Sequence, residues 1–294
     1  DARLRYIRED SLWDAFNTFR LESLQSILAD HAGLLPPVNT DWEPVSAFHS
    51  LLVWSASLHP ILARALERAA AARIPLLGAG WALLCIAALW GFRANRSGAG
   101  KSVRLAVAVN GGTLMVAEIM LFVGFQTLEG YVYRELALIV SAFMAGMALG
   151  AGAVSRVRAQ GSGLPLKLLA GCQVALAVLM AVIPVGLSLY VNASVPGGSS
   201  PRAIAGIFCL MAFLTGALGG SHFALAVKAV SLDCTVARGA GPILYAWDLL
   251  GSAAGAILGS VFLLPLFGIP FTSWNMAAVN GVAALLLIEK GRSG

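Results

Sequence analysis

Two carboxylates stand inside long apolar runs of this chain. Glu118 lies in the middle of LAVAVNGGTLMVAEIMLFVGFQ, and Asp248 follows Tyr245 and Trp247 near the start of another run. An ionisable group within a membrane span is costly, generally faces protein or water, and often marks a substrate or proton path. Gly111 and Gln126 recur near the face of Glu118 at helical spacing. Two readings fit Glu118: a site that draws a cation toward the midplane, or a structural carboxyl hydrogen-bonded to a neighbouring helix. For Asp248 the alternatives are a site and a cap or interface hydrogen bond. His222, in TGALGGSHFALAVK, has no second His or Cys near it in sequence, so it reads as a packing residue before it reads as a ligand.

Little else in the chain could do chemistry. Cys85, Cys172, Cys209 and Cys234 are scattered singly, without CxxC or CxxCH, and predict neither zinc, haem nor a disulfide framework. No catalytic residue, metal ligand or cofactor follows from the spacing. Gln173, Asn110, Asn275 and Asn280 are expected to hydrogen-bond between helices, and Lys228 to snorkel toward a membrane surface.

The elements that must position these groups are membrane helices. The chain is 58% hydrophobic and 12% charged with mean hydropathy +0.79, against about 25% charged residues in soluble domains. About 20 apolar residues cross the hydrocarbon layer as a helix, because no water is there to satisfy the backbone. The expected fold is an all-α polytopic membrane bundle with about seven spans, at 74–92, 105–127, 132–155, 166–190, 203–227, 242–266 and 270–288. A six-span alternative places 74–92 elsewhere. Phe267 to Ile269 separates the last two spans, with Pro270 starting the final helix.

Small residues recur four apart in three of these spans: Ala142, Gly146 and Gly150; Gly216 and Gly220; Gly251, Gly255 and Gly259. Such stripes let helix backbones approach closely within lipid. They serve either packing inside the chain or contact with other membrane subunits.

Residues 1–73 differ from the rest, with nine acidic and seven basic side chains among apolar ones at amphipathic spacing. Ser11 and Asp14 form a capping-box-like start, and Leu12, Phe16, Phe19, Leu24, Ile27 and Leu28 recur at helical intervals before Gly33, Pro36 and Pro37. A second helix is expected from about Ser46 to Ala71, bent or broken at Pro60. Residues 1–73 thus form an extramembrane segment and 74–294 a transmembrane domain. The sequence opens at Asp1 without a signal-peptide core, which predicts either processing or an upstream portion of the polypeptide.

The string LPPVNTDWEPVSAFHSLLVWSASL, with Asn39, Thr40, Asp41, Pro44 and Trp54, resembles the C-terminal end of a spermidine-synthase-like domain in bacterial integral membrane proteins. GFQTLEGYVYRELALIVSAFMAGMALGA and LYAWDLLGSAAGAILGSVFLLPLFGI resemble two stretches of the fused major-facilitator-like, spermidine-synthase-like family. The resemblance implies that the last six spans form half of a major facilitator fold. The Gly-rich turn, the acidic ribose partner and the amine-binding carboxylates of an aminopropyltransferase are missing, so any such active site would lie before Asp1.

Basic residues predict orientation. One set of loops holds Arg93, Arg96, Lys101, Arg104, Arg156, Arg158, Lys167, Lys228, Arg238, Lys290 and Arg292, and the other holds Arg134 and Arg202. Eleven against two places the first set and the C-terminus in the cytoplasm of a bacterial cell, with residues 1–73 on the far side of the cytoplasmic membrane. The net charge of +5 reflects these loops, and no nucleic acid need be invoked. Three functions remain: a non-catalytic module that binds or moves a small cation such as a polyamine, a structural subunit of a membrane complex, and a membrane anchor for an upstream aminopropyltransferase-like enzyme.

Overall fold

The computed structural model describes Glu22 and residues 44–58, 60–72, 100–129, 133–156, 163–194, 201–231 and 240–293. The chain divides after Val38 into two units, and every described residue but Glu22 lies in the second. Apart from Glu22, the expected helix over residues 12–28 lies outside the described residues, as do the expected span 74–92 and the boundary at residue 73.

All the described elements are helical. Of the two alternatives expected over 46–71, a bend or a break at Pro60, the structure has the break: helices α1 (Val45–Leu58) and α2 (Pro60–Ala71) are separate, and Pro60 opens the second. Proline lacks the N–H that a continuing helix requires, yet its fixed φ suits a first turn. In α2, Ala63 and Leu66 are buried, while Val53 and Trp54 of α1 are exposed.

Four long helices follow: α3 (Gly100–Glu129), α4 (Tyr133–Ser155), α5 (Gly163–Ser194) and α6 (Pro201–Ser231). Each contains its expected span apart from the first residue of 132–155. All except α4 run on beyond the span by several residues. Helix α7 (Ala240–Ile257) passes through a six-residue π-helical stretch, Leu258–Leu263, into α8 (Leu264–Ser293). The wider turn closes where the Leu264 N–H donates to the Gly259 carbonyl. Counting Gly241–Glu289 as one, five helices are long and apolar enough to cross a membrane.

That last stretch has 49 residues, about 74 Å at 1.5 Å per residue, which is more than twice the hydrocarbon thickness. It is broken at Gly268, whose φ of 75° and ψ of 177° leave the helical region. A residue with a Cβ rarely adopts that φ, so glycine permits the break. The two arms run in opposite senses along α3. Gly251, Gly255 and Gly259 meet Ala108, Gly112 and Val116 in ascending order, whereas Asn280, beyond the break, bonds Thr113 and Ser273 bonds Met180 of α5, whose Gln173 reaches Asn280.

Two pairs of helices, α4 with α6 and α3 with α7, pack in parallel through glycine. At Gly146, Gly150, Gly216 and Gly220, a Cβ would lie under 3.0 Å from backbone atoms of the facing helix, α4 against α6. The same holds where Gly251 and Gly255 of α7 meet α3. At Gly259 the nearest atom, Val116 Cγ2, would be 3.0 Å away. All three glycine stripes are therefore occupied within the chain.

A buried cluster gathers Val103, Val154, Leu166, Val230, Leu244 and Leu287, so the ends of six helical segments nearest the basic loops meet at one end of the bundle. Lys228 reinforces this end, its Nζ donating to the carbonyls of Val154 (2.5 Å) and Ser155 (3.3 Å) at the C-terminus of α4. A cation there satisfies carbonyls that have no partner within the helix and opposes the helix dipole. Leu121, Phe125, Ile139, Phe143, Leu176, Ile204 and Phe208 form a second cluster nearer the opposite end.

Candidate intramembrane polar site

Helix α3 is the axis of the site because its flanks are covered by three other segments. Leu114 packs over Gly219 of α6, Gly112 lies beneath Gly251 and Gly255 of α7, and Thr113 bonds Asn280 of α8. Glu118 falls on the face between the α6-facing and α7-facing sides. At about 100° per residue, Gly111 lies only about 20° away from it around the helix and about two turns earlier.

Gly111 is where Asp248 enters. A Cβ on Gly111 would lie 2.7 Å from Asp248 Oδ1, 2.5 Å from its carbonyl oxygen and 2.8 Å from Ser252 Oγ. The missing side chain lets α7 lay its carboxylate across the face that carries Glu118. Both carboxylates are partly buried. The structure thus brings Asp248 and Glu118 to one face of α3, separated along it by about 10 Å. Gln126 lies about 80° around the helix from Glu118 and about two turns beyond it, toward the α7 side.

His222 is placed elsewhere. It is 1% exposed, on α6, and neither Glu118 nor Asp248 is a hydrogen-bond partner of its ring. Neither ring nitrogen has a hydrogen-bond partner among the described residues. The described residues hold no group of three or more His, Cys, Asp or Glu able to bind a metal.

A buried network joins three helices beside this site. Gln173 Nε2 donates to Asn280 Oδ1 at 2.8 Å, and Asn280 Nδ2 donates to Thr113 Oγ1 at 2.7 Å and to the Met276 carbonyl at 2.6 Å. Polar side chains within spans announce the interhelical bonding of Gln173 and Asn280. Asn275 instead bonds the Phe271 carbonyl of its own helix.

Sequence reasoning misses a second device. Pro184 inside α5 cannot donate to the carbonyl of Met180, four residues earlier. Ser273 of α8 donates its Oγ to that carbonyl at 2.5 Å, and Trp274 Nε1 reaches the neighbouring Ala181 carbonyl at 3.4 Å. In lipid an unsatisfied carbonyl costs several kcal/mol, so a proline-broken helix needs such a neighbour. A proline in an apolar span signals the need for a donor, but nothing local identifies Ser273.

Compared with protein-family models, curated proteins and solved structures, the chain finds no match in any of the three.

Proposed function

We propose that this chain is a non-catalytic membrane module that binds or moves a small cation, with Glu118 and Asp248 as its anionic groups. The observation that carries the reading is the laying of Asp248 over Gly111, on the face of α3 that holds Glu118. Charged groups are expensive within a bilayer, and two on one face attract a cation more strongly than either alone. The resemblance to fused major-facilitator-like, spermidine-synthase-like proteins favours a polyamine as the cation.

In this reading residues 100–293 cross the bilayer six times, since the arms on either side of Gly268 run in opposite directions, and 74–92 supplies a seventh crossing. The basic end of the bundle faces the cytoplasm of a bacterial cell and residues 1–73 lie outside. One six-helix half lacks the second half of a two-half alternating-access transporter. A second set of spans, upstream or on another chain, completes it.

The test uses the full chain in proteoliposomes, with labelled spermidine and labelled methylammonium as probes. Binding or uptake should fall in Glu118→Gln and in Asp248→Asn. Full retention in both variants refutes the assignment. Sidedness is checked by labelling a cysteine placed in residues 192–201 of an otherwise cysteine-free chain. Labelling of intact cells supports the orientation, and labelling only after the cells are opened reverses it.

A structural subunit of a membrane complex is the second reading, favoured by the broad apolar surface of α7 and the start of the π-helical stretch that follows it. Tyr245, Trp247, Leu249, Leu250, Ile257 and Leu258 are all exposed there. Unrelated chains recovered in fixed ratio on purification would favour this reading over transport.

A further inference from the structure

Five fully buried polar side chains from four different helices lie within about one helical turn of the same depth in the bundle. Gln173 of α5, Asn280 of α8 and Thr113 of α3 are tied to one another by hydrogen bonds, which sets that depth. Asn110 is one turn before Thr113 on α3 and is 1% exposed. His222 is brought to the same level by the antiparallel register of α3 and α6. Phe125 stacks edge-on against Phe208, with ring centroids 5.5 Å apart, and Leu114 packs over Gly219. The register therefore advances equally on both helices, and one further turn puts His222 at the level of Gly111 and Asn110.

Among the described residues these side chains are incompletely bonded. Asn110 Oδ1, Gln173 Oε1 and both ring nitrogens of His222 are buried and have no partner among the described residues. Two amide oxygens are acceptors that need donors. A neutral imidazole adds one acceptor and one N–H that needs an acceptor. Leaving such groups bare is costly, and a buried water typically makes about three hydrogen bonds to them. Water supplies donors and acceptors together. A bare cation would complete the amide oxygens but not the imidazole N–H, and these neutral side chains bring no charge to balance it.

We infer that the inner helices enclose a hydrated site at the depth of Gly111, in which bound water bridges Asn110 and Gln173 to His222. The site lies about 100° around α3 from the Gly111 face that Asp248 covers, and it stands whether or not the carboxylates bind a cation. It would make His222 a hydrogen-bonded, water-contacting residue within an apolar domain.

The experiment is water-to-protein magnetisation transfer by solid-state NMR on the full chain in lipid bilayers. The chain has four histidines, and replacing His31, His49 and His59 by Gln leaves His222 as the one ring observed. Transfer from water to the His222 ring should be fast, like that of exposed Arg134, while the buried ring of Phe125 gives the dry standard. Transfer to His222 no faster than to Phe125 overturns the inference. A second variant, Asn110→Leu with Gln173→Met, should lose the fast transfer while the helical signals persist. Fast transfer that survives it shows water reaching His222 by another route and refutes the bridged site. A density map with a side chain from outside the described residues against His222 also refutes it.

Discussion

Gly150 and Gly152 lie two residues apart on α4 and offer a paired test of how the spans are held together. A Cβ on Gly152 meets nothing within 4 Å. On Gly150 it would overlap the Ala217 carbonyl oxygen of α6, with the Ala217 carbonyl carbon and Ser221 Oγ each 2.9 Å away. Ordinary Cβ contacts begin at 3.4 Å, so even the farther two atoms must retreat by half an ångström, and the carbonyl by more. The carbonyl is part of the α6 backbone and cannot rotate aside as a flexible side chain would. The helices must separate, loosening the contacts at Gly146, Gly216 and Gly220 as well. Overpacking of this kind costs about 1–3 kcal/mol. Alanine in place of an unhindered helical glycine stabilises by up to about 1 kcal/mol. That gain is common to both variants and cancels in the comparison, so Gly150→Ala should be less stable than Gly152→Ala by the overpacking cost of about 1–3 kcal/mol. Reversible unfolding in mixed micelles, or steric trapping in bicelles, measures the difference. Variants equal within about 0.5 kcal/mol would show that the close approach of α4 and α6 is not what holds this seam, since independent surface changes stay within that range.

Three further predictions follow from the buried bonds. Ser273→Ala should destabilise by about 1–3 kcal/mol by orphaning the Met180 carbonyl; in a Pro184→Ala background, where residue 184 regains its N–H, unfolding should show most of that cost gone, and an unchanged cost would refute the pairing. Asn280→Leu should cost about 2–3 kcal/mol because it strips the partner from Gln173 Nε2, and adding Gln173→Leu should recover part of the loss in the same assay. Lys228→Met should speed hydrogen exchange in the last turn of α4, whose carbonyls at Val154 and Ser155 it leaves without that donor, and unaltered exchange there would deny the cap its role.

The candidate site was partly legible because lipid punishes certain residues. Glu118 and Asp248 stand out for cost alone, and Gly111 was visible at helical spacing from Glu118. That Asp248 would cover Gly111 was not legible, since the two are 137 residues apart and meet only through the α3 and α7 register. His222 read as an ordinary packing residue. Its level with Asn110 depends on the antiparallel offset of α3 and α6, which no local pattern encodes.

The amino-acid order alone determined that this chain is helical and apolar enough for a bilayer, because backbone groups without water must bond within their own segment and span length follows from thickness. It also marked the break near Gly268 and Pro270, where backbone freedom and a missing N–H are local properties. Tertiary structure decided which glycine faces which helix, that Ser273 serves the carbonyl freed by Pro184, and which polar groups share a depth. Those outcomes depend on offsets between helices, set by close packing over many residues at once.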